Sequence, residues 1–323
     1  MNKLRVLVTG GAGFIGSHIV EHLLKSGANY VRILDNLSTG SMQNIETILK
    51  NYSNVELING DIRNLDQCLE ACHTMNAICH QAAFVSVPNS INNPLINHDI
   101  NVNGFLNILT AAKNTNIKRI VYASSSAVYG TSDSDNNSNN IRTESDIPIP
   151  KSPYAASKFI NEIYGKIYTE IYDLECIGLR YFNVFGPKQD PLAAYAAAIP
   201  KFINTIISGN NPIIYGDGSF CRDFVHVNDV VHANILALTT INQAAYGNFF
   251  NVGTGQMISI NDLFYLIKQC LNKTECEVTY SEKRLGDIPY MCASTENIQL
   301  VLGYKPMISL QEGLIDTIEY LKH

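Results

Sequence analysis

The 323-residue sequence lacks the features that mark membrane proteins and nucleic-acid-binding proteins. No apolar run approaches the ~18 residues of a membrane-spanning helix. Lysines and arginines form no cluster and the formal net charge is −6, whereas a nucleic-acid-binding protein usually presents a basic face. We therefore expect neither a membrane nor a nucleic-acid partner. A negatively charged substrate would have to be bound by a few well-placed cations.

A secretory leader and paired cysteines are also missing. The first residues lead directly into a short strand-like run and then into glycines, without the long apolar region of a signal peptide. None of the eight cysteines forms a C-x-x-C pair, and most lie in apolar or helical stretches, which is typical of reduced thiols used as small apolar residues. These observations predict a cytoplasmic protein without a structural zinc site.

The segment 18–22 (HIVEH) matches the H-x-x-E-H pattern of some zinc proteases, with two histidines on one helix face. However, this segment belongs to a helix that follows a glycine turn and must pack on a sheet. We therefore interpret His18 and His22 as residues of an ordinary amphipathic helix, and we predict no metal site.

Short apolar runs alternate with helical patterns through the first half of the chain. Runs typical of strands are 4–9, 30–34, 55–58, 77–80, 119–123 and 175–180, and helical patterns cover 14–26, 65–73, 98–114 and 153–172. This alternation predicts an α/β fold with a doubly wound parallel sheet of the Rossmann type. The polar stretch 131–140 is expected to be a surface loop. After Tyr181, glycines and prolines interrupt the pattern, and helical stretches at 260–271 and 310–322 predict a smaller, interleaved α/β domain.

A glycine-rich turn follows the first strand and begins the first helix. Residues 9–16 read TGGAGFIG, in which Gly10 permits a tight turn, Gly13 lets a pyrophosphate approach the backbone and Gly16 lets the helix pack on the strand. The N-terminus of the helix would then present free N–H groups to the phosphates. Asp35 ends the second strand, where a carboxylate binds both ribose hydroxyls and repels a 2′-phosphate. The pattern predicts NAD rather than NADP as the cofactor.

A tyrosine and a lysine lie four residues apart, at Tyr154 and Lys158, and therefore share one helix face. A nearby ammonium group and a positive nicotinamide ring both favour the phenolate form of Tyr154, which could then accept a proton from a sugar hydroxyl. A serine run that includes Ser125 and Ser126 ends the fifth strand, at the sheet edge where ligands bind. We predict Ser125, Ser126, Tyr154 and Lys158 as the catalytic residues.

These motifs resemble the extended short-chain dehydrogenase/reductase family, the NAD-dependent epimerases and dehydratases, and within it the UDP-N-acetylglucosamine 4-epimerases most closely. The resemblance covers nearly the whole chain. It is also carried by the segments HQAA at 80–83, SVP at 86–88, NVNG at 101–104, RYFNVFGP at 180–187, GDG at 216–218, RDF at 222–224 and RLGD at 284–287.

The resemblance implies two sets of binding residues. The set for NAD is Gly10, Gly13, Phe14, Ile15, Gly16, Asp35, Asn36, Asp61, Ile62, Ala82, Ala83, Asn103, Tyr154, Lys158 and Tyr181. The set for a UDP-sugar is Ser86, Val87, Ser125, Asn183, Tyr195, Ala197, Tyr215, Arg222, Arg284, Asp287 and Met291. We assign residues 1–183, with return segments near 224–252, to the NAD-binding domain and residues 184–323 mainly to the domain for the nucleotide sugar. The resemblance further implies a homodimer that pairs the helices at 98–114 and 154–172.

The activity implied is epimerisation at C4 of the hexose through a transient 4-keto sugar, with NAD held as a catalyst. A 4,6-dehydratase usually carries Thr-Asp-Glu where this sequence has Ser125, Ser126 and Ala127, so the acid and base for elimination are missing. A UDP-glucuronate 4-epimerase or decarboxylase is a closer alternative. A non-catalytic NAD-sensing scaffold is a further one, although such proteins commonly lose the tyrosine or the lysine.

Met291 bears on the choice of sugar. In related epimerases a tyrosine four positions after the Asp of R-x-G-D is associated with unsubstituted hexoses, and a small residue with N-acetyl sugars. Met291 is intermediate in size and flexible. Because the segments 86–88 and 194–197 look closest to the N-acetylhexosamine enzymes, we expect UDP-GlcNAc and UDP-GalNAc as substrates.

Overall fold

The computed structural model describes residues 4–130, 141–192, 197–273, 275–283 and 290–322. The polar stretch 131–140 lies outside these ranges. In chain order the strands are β1 (Arg5–Thr9), β2 (Tyr30–Asp35), β3 (Val55–Asn59), β4 (Ala77–His80), β5 (Arg119–Ser125), β6 (Ile141–Arg142), β7 (Glu175–Tyr181), β8 (Asn183–Phe185), β9 (Ile213–Tyr215), β10 (Cys221–Arg222), β11 (Phe224–His226), β12 (Phe249–Val252), β13 (Ile258–Ser259), β14 (Thr279–Ser281) and β15 (Tyr290–Ala293).

The helices alternate with the strands in the first half of the chain and become interspersed with short strands afterwards. They are α1 (Phe14–Lys25), α2 (Glu46–Asn51), α3 (Leu65–Cys72), α4 (Val87–Asn92), α5 (Pro94–His98), α6 (Gly104–Asn114), α7 (Pro153–Tyr172), α8 (Ala198–Ile207), α9 (Val227–Thr239), α10 (Ile260–Cys270), α11 (Glu296–Leu302) and α12 (Leu310–Leu321). Within the described ranges, none of these helices is both long and apolar enough to cross a membrane.

Seven parallel strands form the main sheet, in the order β12-β7-β5-β4-β1-β2-β3. Its central strands are buried on both faces, because α1 and α9 cover one face and α3 and α6 cover the other. The order reverses between β1 and β4, and in open α/β sheets ligands bind at such a switch point beyond the carboxyl ends of the strands. The predicted Rossmann-type fold is confirmed.

One predicted helix differs from the structure. The pattern over 98–114 predicts a single helix, but residues Asp99–Asn103 form a wider π-helical turn between α5 and α6. Such turns are often found at functional sites. Here the turn carries Asn101, whose side chain is 1% exposed and hydrogen-bonds with Phe84 and Ser157. The irregular turn therefore ties the loop after β4 to α7.

The later part of the chain contributes to both halves of the molecule. Strand β12 pairs with β7 in the main sheet, and α9 packs against α1. The helices α8, α10 and α12 enclose a separate core with members such as Phe202, Ile203, Leu263 and Leu314. Short strands line this second unit, including the pairs β8–β11, β9–β14 and β10–β15.

Candidate active site

The glycine turn between β1 and α1 leaves no room for side chains at two positions. Gly10 has φ +66°, and a Cβ added there would lie 2.7 Å from the backbone nitrogen of Ala82. A Cβ at Gly16 would lie 2.1 Å from the carbonyl oxygen of Gly10. Gly13 precedes α1, so the first helical residues Phe14 and Ile15 have N–H groups without a partner within the helix. This arrangement fits a bound pyrophosphate.

Asp35 lies at the end of β2, beside this turn. Its carboxylate accepts hydrogen bonds from the backbone N–H groups of Ala12 and Leu37, both at 2.9 Å. The side chain is 8% exposed. A Cβ added at Gly40 would lie 3.0 Å from Asp35 Oδ1, so the glycine at this position leaves space beside that oxygen. The carboxylate is thus held at the sheet edge where a ribose of a bound dinucleotide would lie.

Asn36, Asp61 and Ile62 form the next part of the same edge. Asn36 Nδ2 donates to Asp61 Oδ2 at 2.9 Å, and Arg63 Nη2 donates to the same oxygen at 2.7 Å. The Arg63 side chain is the main reason that the pKa of Asp61 is lowered to about 2. Ile62 is buried, and its carbonyl oxygen accepts from Asn107. Of the candidate cofactor residues, these three therefore lie together beyond β2 and β3.

Ala82 and Ala83 follow β4, and the backbone of Ala82 lies against Gly10 of the glycine turn across the switch point. The N–H of Ala82 donates to Thr9 Oγ1 at 3.2 Å, which joins the ends of β1 and β4. Ser86 precedes α4, where its hydroxyl accepts from the N–H of Asn89, and Val87 begins that helix.

Two asparagines of the segment 101–104 have different surroundings. Asn103, the one predicted from the sequence, lies on the surface and donates to Asp99 at 3.0 Å. Asn101 is buried and holds the loop after β4 through its amide group. Sequence reasoning missed Asn101, although it belongs to the same quoted motif.

The predicted catalytic residues converge where β5 meets α7. The N-terminus of α7 is fixed by Ser152, whose hydroxyl accepts from Ala155, and by Pro153 at the first helical position. This start places Tyr154 on the first turn, 9% exposed, with the Ser125 side chain near its phenol. Lys158 follows one turn later, and its Nζ donates to the carbonyl oxygen of Ala123 at 2.8 Å. Ser126 begins the short turn after Ser125 and is largely buried.

The electrostatics of this group differ in part from the expectation. Burial raises the pKa of the Tyr154 phenol, and the nearby Ser125 side chain only partly opposes that rise. Burial also lowers the pKa of Lys158 to about 8, against the attraction of Glu162. The Lys158 nitrogen lies 5.9 Å from the centre of the Tyr154 ring. In the protein alone, desolvation therefore outweighs the acidifying effect expected from the lysine.

Tyr181 ends β7 next to Ser125, with which it is in register. Its hydroxyl donates to Gln81 Oε1 at 3.1 Å and accepts from Asn234 Nδ2 at 2.8 Å, and burial raises its pKa. Tyr181 is therefore a neutral phenol near pH 7. It is the last of the candidate cofactor residues along this edge of the sheet.

Three short strands bring part of the predicted substrate set together. Asn183 on β8 lies in register with Phe224 on β11, and its amide donates to the carbonyl oxygen of Asp223 at 3.0 Å. Arg222 on β10 lies in register with Met291 on β15. Met291 is 6% exposed and belongs to a cluster with Val128, Tyr129 and Phe182 directly after the serine run.

The remaining substrate candidates are more scattered. Ala197 precedes α8, and Tyr215 ends β9, in register with Ser281 on β14. The predicted residues Tyr195, Arg284 and Asp287 lie outside the described residues. In the part of the chain that the structure describes, no group of three or more histidine, cysteine or acidic side chains is arranged to hold a metal ion.

Sequence reasoning also missed two buried carboxylates behind the site. Asp223 is 0% exposed and accepts from the backbone of Thr254, Gly255 and Ala293, so it holds the strand that carries Arg222. Glu162 is 2% exposed and lies one turn beyond Lys158, where it pairs with Arg180. For Glu162 a signal existed, because its spacing continues the helix face of Tyr154 and Lys158.

The chain is similar to known proteins over its whole length. Residues 6–253 match the model of the NAD dependent epimerase/dehydratase family. The UDP-glucose 4-epimerase of Mycolicibacterium smegmatis is 36% identical over 323 residues, with 99% of each chain covered.

Two solved structures share the fold at similar identity. The UDP-N-acetylglucosamine 4-epimerase from Methanobrevibacter ruminantium, in complex with UDP-N-acetylmuramic acid, has a TM-score of 0.92 at 40% identity, covering 100% of this chain and 99% of the other. The UDP-glucose 4-epimerase of Thermus thermophilus, in complex with NAD, has a TM-score of 0.87 at 33% identity and 99% coverage of both chains. These similarities confirm the predicted enzyme class and its NAD dependence, and the chain belongs to the NAD dependent epimerase/dehydratase family.

Proposed function

We propose that this enzyme inverts the configuration at C4 of a UDP-hexose, and that its substrates are UDP-GlcNAc and UDP-GalNAc. The observation that carries the proposal is the convergence of Ser125, Tyr154 and Lys158 at the carboxyl edge of the sheet, beside the glycine turn. A hydroxyl, a phenol and an ammonium group so arranged suit proton transfer coupled to oxidation of an alcohol.

The residues around the glycine turn fit NAD. The space that a Cβ would fill at Gly10 and Gly16 is taken by backbone, which keeps the turn compact, and the N–H groups of Phe14 and Ile15 at the start of α1 have no partner within the helix. Asp35 would hold the adenosine ribose, and Lys158 the nicotinamide ribose. When bound, NAD accepts a hydride from C4 of the sugar and later returns it, and the positive nicotinamide ring favours the phenolate of Tyr154.

The protein side of the reaction is a proton transfer. Tyr154 accepts the proton of the 4-hydroxyl group as the alcohol is oxidised, while Ser125 donates to or accepts from the reacting oxygen. The 4-keto sugar then turns so that its opposite face is reduced, and Tyr154 returns the proton. The diphosphate stays anchored during this rotation, for which Arg222 and Asn183 are the candidate partners.

The preference for an N-acetyl sugar rests on the segments 86–88 and 194–197, and Met291, of intermediate size, offers a way to test it. Its side chain packs against Val128 and Phe182 immediately beyond the serine run, so it occupies the wall next to the predicted hexose position. A tyrosine there would fill more of that space than the unbranched methionine does. The proposal thus expects Met291→Tyr to reduce turnover of UDP-GlcNAc more than turnover of UDP-Glc.

The direct test is incubation with UDP-GlcNAc, UDP-Glc and UDP-glucuronate without added NAD, with the products resolved by NMR. We expect the 4-epimer of UDP-GlcNAc to form fastest. Preferred turnover of UDP-glucuronate would overturn the choice of sugar, and a released 4-keto-6-deoxy product would overturn the epimerase in favour of a dehydratase.

The role of Tyr154 is tested by Tyr154→Phe, with Tyr164→Phe on the same helix as a matched control. Tyr154→Phe should retain bound NAD and lose turnover by about 10²–10⁴-fold, since it removes the acid–base group. Tyr164→Phe should remain active. Unchanged turnover in Tyr154→Phe would show that Tyr154 is not the acid–base group.

We also propose that the enzyme is a homodimer. Helix α7 exposes Ile163, Ile167 and Ile171 at intervals of four residues, which places them on one face, and Leu95 on α5 is 83% exposed. A continuous apolar face of this kind favours a second helical surface as its partner. Light scattering should show a dimer, and the double variant with Ile167→Glu and Ile171→Glu should be a monomer.

A further inference from the structure

Three consecutive residues at the end of β5 face three consecutive turns of α7. The Ala123 carbonyl oxygen accepts from Lys158 at 2.8 Å, and the Ser124 hydroxyl donates to Glu162 Oε1 at 2.6 Å. The Ser125 side chain, next along the strand, lies near the Tyr154 phenol. The strand end that carries the candidate catalytic serine is therefore fixed against α7 by two hydrogen bonds, and Glu162 supplies one of them.

Glu162 also pairs with Arg180 in the interior of the protein. Arg180 Nε and Nη2 donate to Oε1 and Oε2 of Glu162 at 2.8 and 2.7 Å. The guanidinium group lies between the rings of Tyr129 and Phe249, 4.6 and 3.9 Å from their centres. A buried ion pair of this kind is often no more stabilising than a well-packed apolar pair. Its presence directly behind Lys158 therefore points to a role beyond packing.

We propose that Glu162 is a positioning residue for the reaction, with a carboxylate that keeps Lys158 protonated and a bond to Ser124 that holds Ser125 against Tyr154. This inference rests on the proposed function, in which Lys158 acts as an ammonium group. Glu162 lies at i+4 from Lys158, on the adjacent turn of the same helix face. Its negative charge opposes the effect of burial, which lowers the pKa of Lys158 to about 8.

The other titratable groups around this cluster do not replace Glu162. They are Tyr154 on α7, His80 on β4, Tyr122 on β5, Tyr129 on the following turn, Glu144 beside Tyr129, and Arg180 and Tyr181 on β7. Burial lowers the pKa of His80 to about 3 and raises the pKa of each of these phenols, so these side chains are neutral near pH 7. The charge of Glu144 interacts with Tyr129 and Arg180, whereas the charge of Glu162 interacts with Lys158.

The decisive variant is Glu162→Gln, compared with Glu162→Asp, which retains the charge. In Glu162→Gln, Lys158 should lose its proton at a lower pH, so the alkaline limb of the pH profile of kcat/KM should move down by about one pH unit. In Glu162→Asp the limb should stay close to that of the wild type, although turnover falls. An unchanged limb in an active Glu162→Gln variant would overturn the proposal.

A second measurement does not require turnover. NMR of protein labelled at the lysine Cε carbons, with the Lys158 signal assigned by its loss in Lys158→Met, reports the titration of Lys158 directly. The titration midpoint should fall in Glu162→Gln, and an identical midpoint in variant and wild type would overturn the proposal. Absence of epimerase activity in the wild type would overturn the proposed function, while this titration would still test the charge effect.

Removal of Glu162 alone leaves Arg180 buried without its partner and could prevent folding. The variant with both Glu162→Gln and Arg180→Met removes the two charges together and avoids that cost. Because Glu162 is the carboxylate that acts on Lys158, the midpoint for Lys158 should still lie below that of the wild type. A midpoint equal to that of the wild type would again contradict the proposal.

Discussion

Asp35 Oδ2 accepts a hydrogen bond from the backbone N–H of Ala12 at 2.9 Å, so the carboxylate at the end of β2 is attached to the glycine turn after β1. Its second oxygen accepts from Leu37. The candidate group for the adenosine ribose is therefore held in the same corner of the fold as the glycine turn proposed to bind the phosphates.

This relationship predicts the outcome of Asp35→Asn. The amide retains one acceptor for the backbone but removes the negative charge that repels a 2′-phosphate. We expect NAD to bind more weakly and NADP more tightly, so that the ratio of their dissociation constants shifts toward NADP by about tenfold or more. Calorimetry on protein stripped of cofactor measures both constants. A ratio equal to that of the wild type would show that Asp35 does not select the cofactor.

The two glycines of the turn should respond differently to alanine. A Cβ at Gly16 would collide with the backbone of Gly10, whereas a Cβ at Gly13 would meet one oxygen at 3.2 Å. We expect Gly16→Ala to lower the free energy of unfolding by more than about 2 kcal/mol, in the range of overpacked cores. Gly13→Ala should fold with a Tm close to that of the wild type but lose most of its copurifying NAD. Full NAD content in Gly13→Ala would place the pyrophosphate elsewhere.

We predict that the buried positive charge of Lys158 lowers the free energy of unfolding of the protein. Its pKa falls from 10.5 to about 8 on burial, so below pH 8 the folded state bears the full cost of the buried charge. Between pH 8 and 10.5 the unfolded state binds more protons, so this cost disappears as the pH rises. At pH 7, Lys158→Met should gain up to about 3 kcal/mol in the free energy of unfolding while losing activity.

Denaturant unfolding at pH 7 and pH 10 measures this effect, and Lys166→Met on the exposed face of α7 is the matched control. The Lys166 side chain is 64% exposed, so its replacement should change stability by less than about 0.5 kcal/mol at either pH. A Lys158→Met variant that is no more stable than the wild type at pH 7 would contradict the predicted cost of burial.

The cysteines should differ strongly in reactivity. Burial raises the pKa of Cys68, Cys72, Cys79, Cys176 and Cys292 to about 12, and the thiolate is the reactive form. The partly exposed thiols are Cys221, Cys270 and Cys276. We expect no more than these three to react with a disulfide reagent in the native protein, and all eight in denaturant. Cys276→Ser should lower the native count by one, whereas Cys68→Ser should leave it unchanged.

The elements of the main sheet were predictable because their local signals agree with their final environment. The run 77–80 is the strand Ala77–His80, and the pattern 153–172 is the helix Pro153–Tyr172. Strands buried on both faces are continuous apolar runs, and glycine or proline marks their ends. The same signals placed Ser125, Tyr154 and Asp35 at one edge of the sheet, since parallel strands end there together.

The groups behind the site were harder to predict because they depend on distant partners. A glutamate within a helix is usually exposed, whereas Glu162 is buried with partners that reach it from two distant strands, Ser124 on β5 and Arg180 on β7. The inward direction of Asn101 depends on a π-helical turn, which the periodicity of 98–114 does not indicate. The local sequence pattern thus identified the residues at the sheet edge. Tertiary packing determines which buried groups hold those residues in place.

Strand β12 is synthesised well after β7, the strand with which it pairs, and this order affects folding during translation. Its residues Phe249–Val252 complete the main sheet beside β7, yet β8 to β11, α8 and α9 are synthesised between the two strands. During translation the edge of β7 therefore has no strand to pair with until Val252 leaves the ribosome, and unpaired edges favour aggregation. A chain that stops before Phe249 should accumulate in inclusion bodies, and no single proteolytic cut should release either half as a folded fragment.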